Sequence, residues 1–271
     1  MEFKIDGRRL FYLDQGRGRA VLILHGADLA IPGSWDRPFQ SLVEAGYRVV
    51  LPYGAGRGPS DPRPDFNSLI RDARDCWALL DHLGLRRAVL IGHSQGACVA
   101  EQMLLGRPDR VAAVISEDSA AFGKLKAEIM EMGTDRFDAE TLALYEKHKS
   151  TLAEFGRPWE YPSEYNVGRM LKRRGFLRRT EGKRQGHSPD PENLSAPEGK
   201  YCRVPLLAFA AGRGRIRPGD PEAIALEKKL PAENARLVVV TESGHGIHEE
   251  QADLFIREVL DFLASLPPEE G

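Results

Sequence analysis

Two kinds of hydrophobic pattern alternate along the chain. Ala20–Leu24 (AVLIL), residues 47–51 (YRVVL), 88–91 (AVLI) and 111–115 (VAAVI) are short, nearly unbroken apolar runs. Runs of this length bounded by turn residues read as strands buried on both faces, the grammar of a parallel sheet. Between them, apolar residues fall every three to four positions. Trp35, Phe39, Leu42 and Val43 do so in 35–45, and Leu69, Ala73, Trp77 and Leu80 in 66–83. Both stretches read as amphipathic helices, with Gly46 and Gly84 as their stops. At the N-terminus, residues 3–5 and 8–13 flank Asp6-Gly7, a strong hairpin signal.

From about residue 120 the rhythm changes. Residues 125–132, 139–155 and 164–173 have helical spacing, 188–200 is polar and rich in proline, and no strand-like run occurs. Strand grammar resumes at 204–210 (VPLLAFA), followed by a helix over 221–230, a strand over 236–240 (RLVVV) and a last helix over 249–266. The pattern therefore predicts a discontinuous core, 1–119 plus 201–271, interrupted by a helical insert over 120–200. Strands alternating with helices imply a largely parallel sheet covered on both faces. Right-handed crossovers would then bring Ala27, Ser94 and Asp118 to one edge of it.

At 271 residues and 42% hydrophobic, the chain can bury a full core. A formal net charge of −2 argues against wholesale nucleic-acid binding. Charges interrupt the N-terminal stretch, which reads as neither a signal peptide nor a membrane span, so a cytoplasmic location without membrane association is the expectation. Cys76, Cys98 and Cys202 fit neither a metal-site spacing nor a disulfide framework.

The candidate chemistry centres on residues 87–105, RAVLIGHSQGACVAEQMLL. An apolar strand, the turn Gly92-His93-Ser94-Gln95-Gly96 and a helix make the G-x-S-x-G nucleophile elbow, in which the serine hydroxyl is exposed on a strained turn. A serine needs a base, and the base needs an orienting acid. His245, on a glycine-rich loop after the last strand, is the favoured base and His248 the weaker alternative. His93 reads as structural. Backbone N–H groups of Ala27 and Gln95 are the natural oxyanion donors.

These elements resemble the α/β-hydrolase superfamily: His25-Gly26, the G-x-G-x-S arrangement within 54–60, the elbow, and Gly244-His245 before a terminal helix, all in the expected order. The resemblance implies a mostly parallel eight-stranded sheet with helices on both faces. It also implies a helical cap over 120–200, with Ser94 as nucleophile, His245 as base, and Ala27 and Gln95 as oxyanion donors. One departure matters. The family usually takes its acid from the loop after the seventh strand, where this chain reads Gly212-Arg213-Gly214-Arg215, and an arginine cannot orient an imidazolium. Some members take it instead from the loop after the sixth strand, where Asp118 stands. Asp118 is the favoured acid, with Glu117 and Asp220 as alternatives.

On the substrate side, Leu29, Ile31 and Trp35 follow the oxyanion loop, and Phe155, Trp159, Tyr161, Tyr165 and Phe176 are aromatic candidates from the insert. Residues 169–184 hold eight basic residues and one acidic. A solvated face is the ordinary role of such a run, but a cleft-facing one would favour an anionic substrate. The resulting expectation is a monomeric or weakly dimeric serine esterase acting on a small ester or acyl substrate, without metal or organic cofactor. Carbon–carbon bond hydrolysis of a diketone-like acid and a non-catalytic small-molecule receptor are the alternatives.

Overall fold

The computed structural model describes residues 1–27, 33–155, 157, 160–177 and 187–268, excepting the side chains of 169 and 172–177. Eight strands form one sheet: β1 (Glu2–Ile5), β2 (Arg8–Gln15), β3 (Ala20–Leu24), β4 (Arg48–Pro52), β5 (Ala88–His93), β6 (Val111–Glu117), β7 (Leu206–Ala211) and β8 (Ala235–Val240). Their spatial order is β1-β2-β4-β3-β5-β6-β7-β8. The expected hairpin supplies the two antiparallel pairings, β1 with β2 and β2 with β4, and every later pairing is parallel.

Both faces of the sheet are apolar because both are covered. Along β5, Leu90 joins Leu22, Val50, Trp77, Leu80 and Met103 on one side, under helices α2 (Leu69–His82) and α3 (Gln95–Gly106). Val89 and Ile91 join Val21, Ile23, Phe39, Phe255 and Phe262 on the other, under α1 (Asp36–Glu44) and the terminal helix. The period-two alternation of a strand thus feeds two separate cores.

At two helix boundaries the departure from the sequence reading has a side chain as its cause. The helix expected over 66–83 begins at Leu69, because Ser68 takes the N-cap position and its hydroxyl accepts from Arg71 N at 3.3 Å. The terminal helix is broken at Gln251 (φ −128°, ψ 49°) into two pieces. A single turn over Ile247–Glu250 precedes the long helix Ala252–Ser265. The turn folds Glu250 inward, where its carboxylate accepts from the backbone N–H groups of Gly244 (2.7 Å) and Gly246 (3.1 Å) and so shapes the loop that carries His245.

Between β6 and β7 the described residues contain three α-helices and no strand: α4 (Leu125–Glu131), α5 (Ala139–Glu154) and α6 (Glu164–Leu177), the last longer than its pattern predicts. Stretch 188–200 has no regular element. His187 makes an isolated bridge to Asn67, and its ring nitrogen Nε2 lies 2.8 Å from Asp72 of α2. Among the described residues, no helix is long and apolar enough to cross a membrane. The carboxyl ends of β3, β5, β6, β7 and β8 share one edge, and every residue with candidate chemistry follows one of them.

Candidate active site

Ser94 sits between β5 and α3 with φ 53° and ψ −114°, a conformation costly for a residue with a side chain. The strain persists because the surroundings are fixed. A Cβ on Gly96 would lie 2.0 Å from the carbonyl oxygen of Leu24, and one on Gly92 would lie 2.5 Å from the Cα of Ala97. Only glycine lets strand and helix approach this closely. Ser94 N donates to the carbonyl of Glu117 (2.9 Å), and the Ser119 hydroxyl donates to the carbonyl of Ser94 (2.7 Å), so β6 holds the elbow from the side.

The Ser94 hydroxyl lies 2.9 Å from His245 Nε2, and His245 Nδ1 lies 2.6 Å from Asp118 Oδ2. An ionised carboxylate can only accept, so Nδ1 carries the proton and Nε2 is left as the acceptor facing the serine. Asp118 directly follows β6 with φ 41°, and its carboxylate is wholly buried. Neither alternative acid makes this contact. Glu117 turns to the opposite side of β6 and takes His248 Nδ1 at 2.9 Å, while Asp220 accepts from Arg217 N at 2.8 Å beside α7 (Pro221–Lys228).

The arginine in the loop after β7 faces this acid. Arg213, itself at φ 52° and 0% exposed, donates from Nη2 to Asp118 Oδ2 (2.6 Å) and from Nη1 to Oδ1 (3.1 Å). Its Nε lies 3.7 Å from buried Glu160, whose Oε1 also accepts from His245 N at 3.1 Å. Burial alone would raise the pKa of Asp118, but Arg213 and then His245 outweigh it and hold the carboxyl well below the usual carboxylate range. Burial works against the charge of Arg213 as well, and Asp118 and Glu160 more than restore it. Burial is also the main cause that lowers His245, only partly countered by Asp118, so the imidazole rests neutral, as a base must.

The remaining candidates separate into structural roles and unplaced residues. His248, the alternative base, is engaged elsewhere: its ring stacks on Trp35 at 4.0 Å between centroids, and its Nδ1 is held by Glu117. Trp35, expected as a pocket wall, stands at the N-terminal boundary of α1 and is buried in the core against His248 and Phe255. His93 is buried, with Nε2 donating to the carbonyl of His245 (2.7 Å), and thus ties the elbow to the base loop. His93, Glu117 and His248 offer ligand atoms within 4.8 Å of one another, a grouping that could hold an ion, although each is engaged in the hydrogen bonds just given. His25 Nδ1 donates to Gly26 O (2.7 Å) and its Nε2 accepts from Gly54 N (3.2 Å). Burial brings its pKa down to about 4 and keeps it neutral. Ala27 follows β3 and Gln95 opens α3, the places from which two backbone donors could meet. Tyr161 is buried beside Gly214. Leu29, Ile31 and Trp159 lie outside the described residues, as does most of the basic run. A cavity beside Gln95 is lined by His25, Gly54, Arg57, Asp72 and His187.

One residue was not singled out by sequence reasoning. Lys126 Nζ, on α4, lies 3.4 Å from both His245 Nδ1 and Nε2. Its position in a short amphipathic helix carries no signal of this placement.

Residues 21–258 match the model of the alpha/beta hydrolase family. The chain belongs to that family. Among curated proteins it is similar to a 2-hydroxy-6-oxo-6-phenylhexa-2,4-dienoate hydrolase of Comamonas testosteroni, with 27% identity over 94% of this chain and 91% of the other. It is similar at 27% identity to a non-heme haloperoxidase of Rhodococcus erythropolis, over 96% and 97%. Among solved structures, a meta-cleavage product hydrolase from Pseudomonas fluorescens IP01 superposes with a TM-score of 0.70 at 20% identity, covering 97% of each chain. An esterase from Exiguobacterium antarcticum gives 0.63 at 22%, covering 96% and 97%. These structural likenesses carry the eight-stranded fold, and the family and its curated members support a hydrolase.

Proposed function

We propose that this family member hydrolyses an acyl bond through a covalent intermediate on Ser94. The observation that carries the reading is the unbroken hydrogen-bonded sequence from Ser94 Oγ through His245 to Asp118 at one sheet edge. His245 accepts the hydroxyl proton as Ser94 attacks the carbonyl carbon. Asp118 holds the imidazole in the required tautomer and offsets the imidazolium charge. The N–H groups of Ala27 and Gln95 face the developing oxyanion, His245 returns its proton to the leaving group, and a water activated by the same imidazole releases the acid. Helices α4–α6 act as the cap, and Tyr161 belongs to that roof. An ester is the simplest substrate for this machinery, since its alkoxide leaving group needs one proton and nothing else.

Carbon–carbon bond hydrolysis is the second reading, favoured by the curated dienoate hydrolases to which the chain is similar. The nucleophile and oxyanion donors serve it unchanged, with a carbon rather than an oxygen taking the proton. Rapid mixing with p-nitrophenyl butyrate tests the shared first step: a burst of nitrophenolate stoichiometric with enzyme is expected. Ser94→Ala should abolish it and lower kcat by roughly a thousandfold or more. Steady binding of the ester with no burst and no turnover would instead identify a receptor. The ratio of kcat/KM for this ester and for a 2-hydroxy-6-oxo-dienoate then assigns the bond.

A further inference from the structure

The loop that carries His245 gives three consecutive backbone N–H groups to buried carboxylates from two different parts of the chain. Gly244 and Gly246 donate to Glu250, in the single turn after the loop (2.7 and 3.1 Å). His245 N, between them, donates at 3.1 Å to Oε1 of Glu160, which lies in the connection from α5 to α6. His93 Nε2, from the elbow, donates to the His245 carbonyl (2.7 Å). Both backbone polar groups of this histidine are therefore held by side chains. A hydrogen bond from a backbone N–H to an ionised carboxylate is among the stronger anchors a loop can have.

The surroundings of Glu160 fit that use. Its own N–H closes a turn on the Arg157 carbonyl (3.0 Å), and Oε1 also accepts from Tyr161 N (3.2 Å). The residue is 1% exposed, and its carboxylate has the guanidinium groups of Arg157 and Arg213 at 3.6 and 3.7 Å. Gly244 shows how tightly the α5–α6 connection is pressed on the loop. A Cβ there would lie 2.4 Å from Glu160 Oε1 and 2.6 Å from Asn166 Nδ2. Asn166, buried near the start of α6, donates to the Tyr161 carbonyl (3.2 Å) and to Glu250 Oε2 (2.9 Å), so the same segment also steadies the second carboxylate.

We infer that Glu160 is a positioning residue for the base: it fixes the His245 backbone so that Nε2 stays within reach of Ser94 Oγ. This rests on the acyl-hydrolase reading, in which His245 is the base. The ring contacts with Asp118 and Ser94 change character each time a proton moves on or off the imidazole. The backbone contacts with Glu160 and His93 do not, and they keep the ring in register through every step. A displacement of about 1 Å at a catalytic group can cost on the order of a hundredfold in rate. Glu160 acts through the loop and not on the reacting atoms, so the base is in place only while the α5–α6 connection lies on residues 244–246.

Full-length Glu160→Met, Glu160→Gln and Gly244→Ala proteins are compared with wild type in two ways. One is p-nitrophenyl butyrate kinetics. The other is the proton NMR resonance of His245 Nδ1–H, identified by its loss in His245→Gln. Glu160→Met removes the acceptor, and is expected to lower kcat about tenfold or more, to leave KM within about twofold, and to move or broaden the resonance. Glu160→Gln keeps an oxygen for both N–H groups and should stay within about threefold of wild-type kcat. Gly244→Ala keeps Glu160 in the chain but forces its carboxylate off the loop; it should behave as the methionine variant does, and serves if that variant does not fold. An unmoved resonance in the methionine variant overturns the assignment whatever the kinetics show. So does a raised KM at unchanged kcat, or a loss of kcat in Glu160→Gln as deep as in Glu160→Met. The resonance is read without turnover. A wild type with no ester burst therefore sinks the acyl-hydrolase reading, while this arm still decides whether Glu160 holds His245.

Discussion

At the scale of single residues, the arginine that stands where an acid was expected is itself part of the solution. Arg213 occupies the loop after β7, and Asp118, after β6, receives both of its terminal nitrogens in a fully buried pair. Removing one partner of such a pair leaves an uncompensated charge in the interior. Arg213→Met is therefore expected to destabilise the fold by about 3–5 kcal/mol in urea unfolding, with Arg213→Lys losing less. The same change frees Asp118 to favour the imidazolium. In whatever folded fraction remains, the acid limb of the kcat/KM profile should move to higher pH. Ser94 and His245 stood out from local patterns, because an elbow and a glycine-flanked histidine are short-range signals, whereas the preference for Asp118 came from the resemblance to the family; their joint role belongs to the proposed function. The partnership of residues 118 and 213, and the approach of Lys126, did not stand out. They depend on side chains meeting across strands that are far apart in sequence.

Among the elements, the elbow concentrates the constraint. Gly96 packs α3 against β3 so closely that a methyl group would overlap the Leu24 carbonyl, whereas Gly46, with φ 91°, faces open space. Gly96→Ala should therefore cost about 3 kcal/mol or more and disable the site, while Gly46→Ala should cost about 1–2 kcal/mol through backbone strain alone and leave activity intact. Thermal melts and ester turnover on the two variants measure the contrast. Element type was readable along nearly the whole core because apolar runs and helical periods are set by burial on two covered faces. Boundaries were not, where a side chain took over a terminus: Ser68 capping α2, and Glu250 turning inward to split the last helix. Trp35 has the apolar spacing of a core residue and the position of a pocket residue, and packing on His248 decides between them.

For the whole molecule, two buried carboxyls set a pH dependence. Burial raises the pKa of Glu117 to about 7, and that of Glu250 to about 7. From pH 4.5 to 7 the folded chain therefore binds protons that the unfolded chain has lost, and its stability falls as pH rises through that window. Asp118 acts in the opposite direction, contributing stability above its unfolded pKa that is lost in acid. Melting temperature followed from pH 5 to 8 should decline less steeply in Glu117→Gln than in the wild type. A further consequence concerns how separable the roof is from the reaction. The proposed acid, the hydroxyl that ties down the elbow and the ammonium beside the proposed base all lie within residues 118–126, where the chain leaves the sheet to enter the helices between β6 and β7. If the acid lay after β7, the insert could be exchanged wholesale for a new specificity while the catalytic residues stayed in place. Under the proposed function its first residues here belong to the site. On that reading a transplanted insert must join after residue 119, so that Asp118 and the Ser119 hydroxyl keep their contacts with His245 and the elbow.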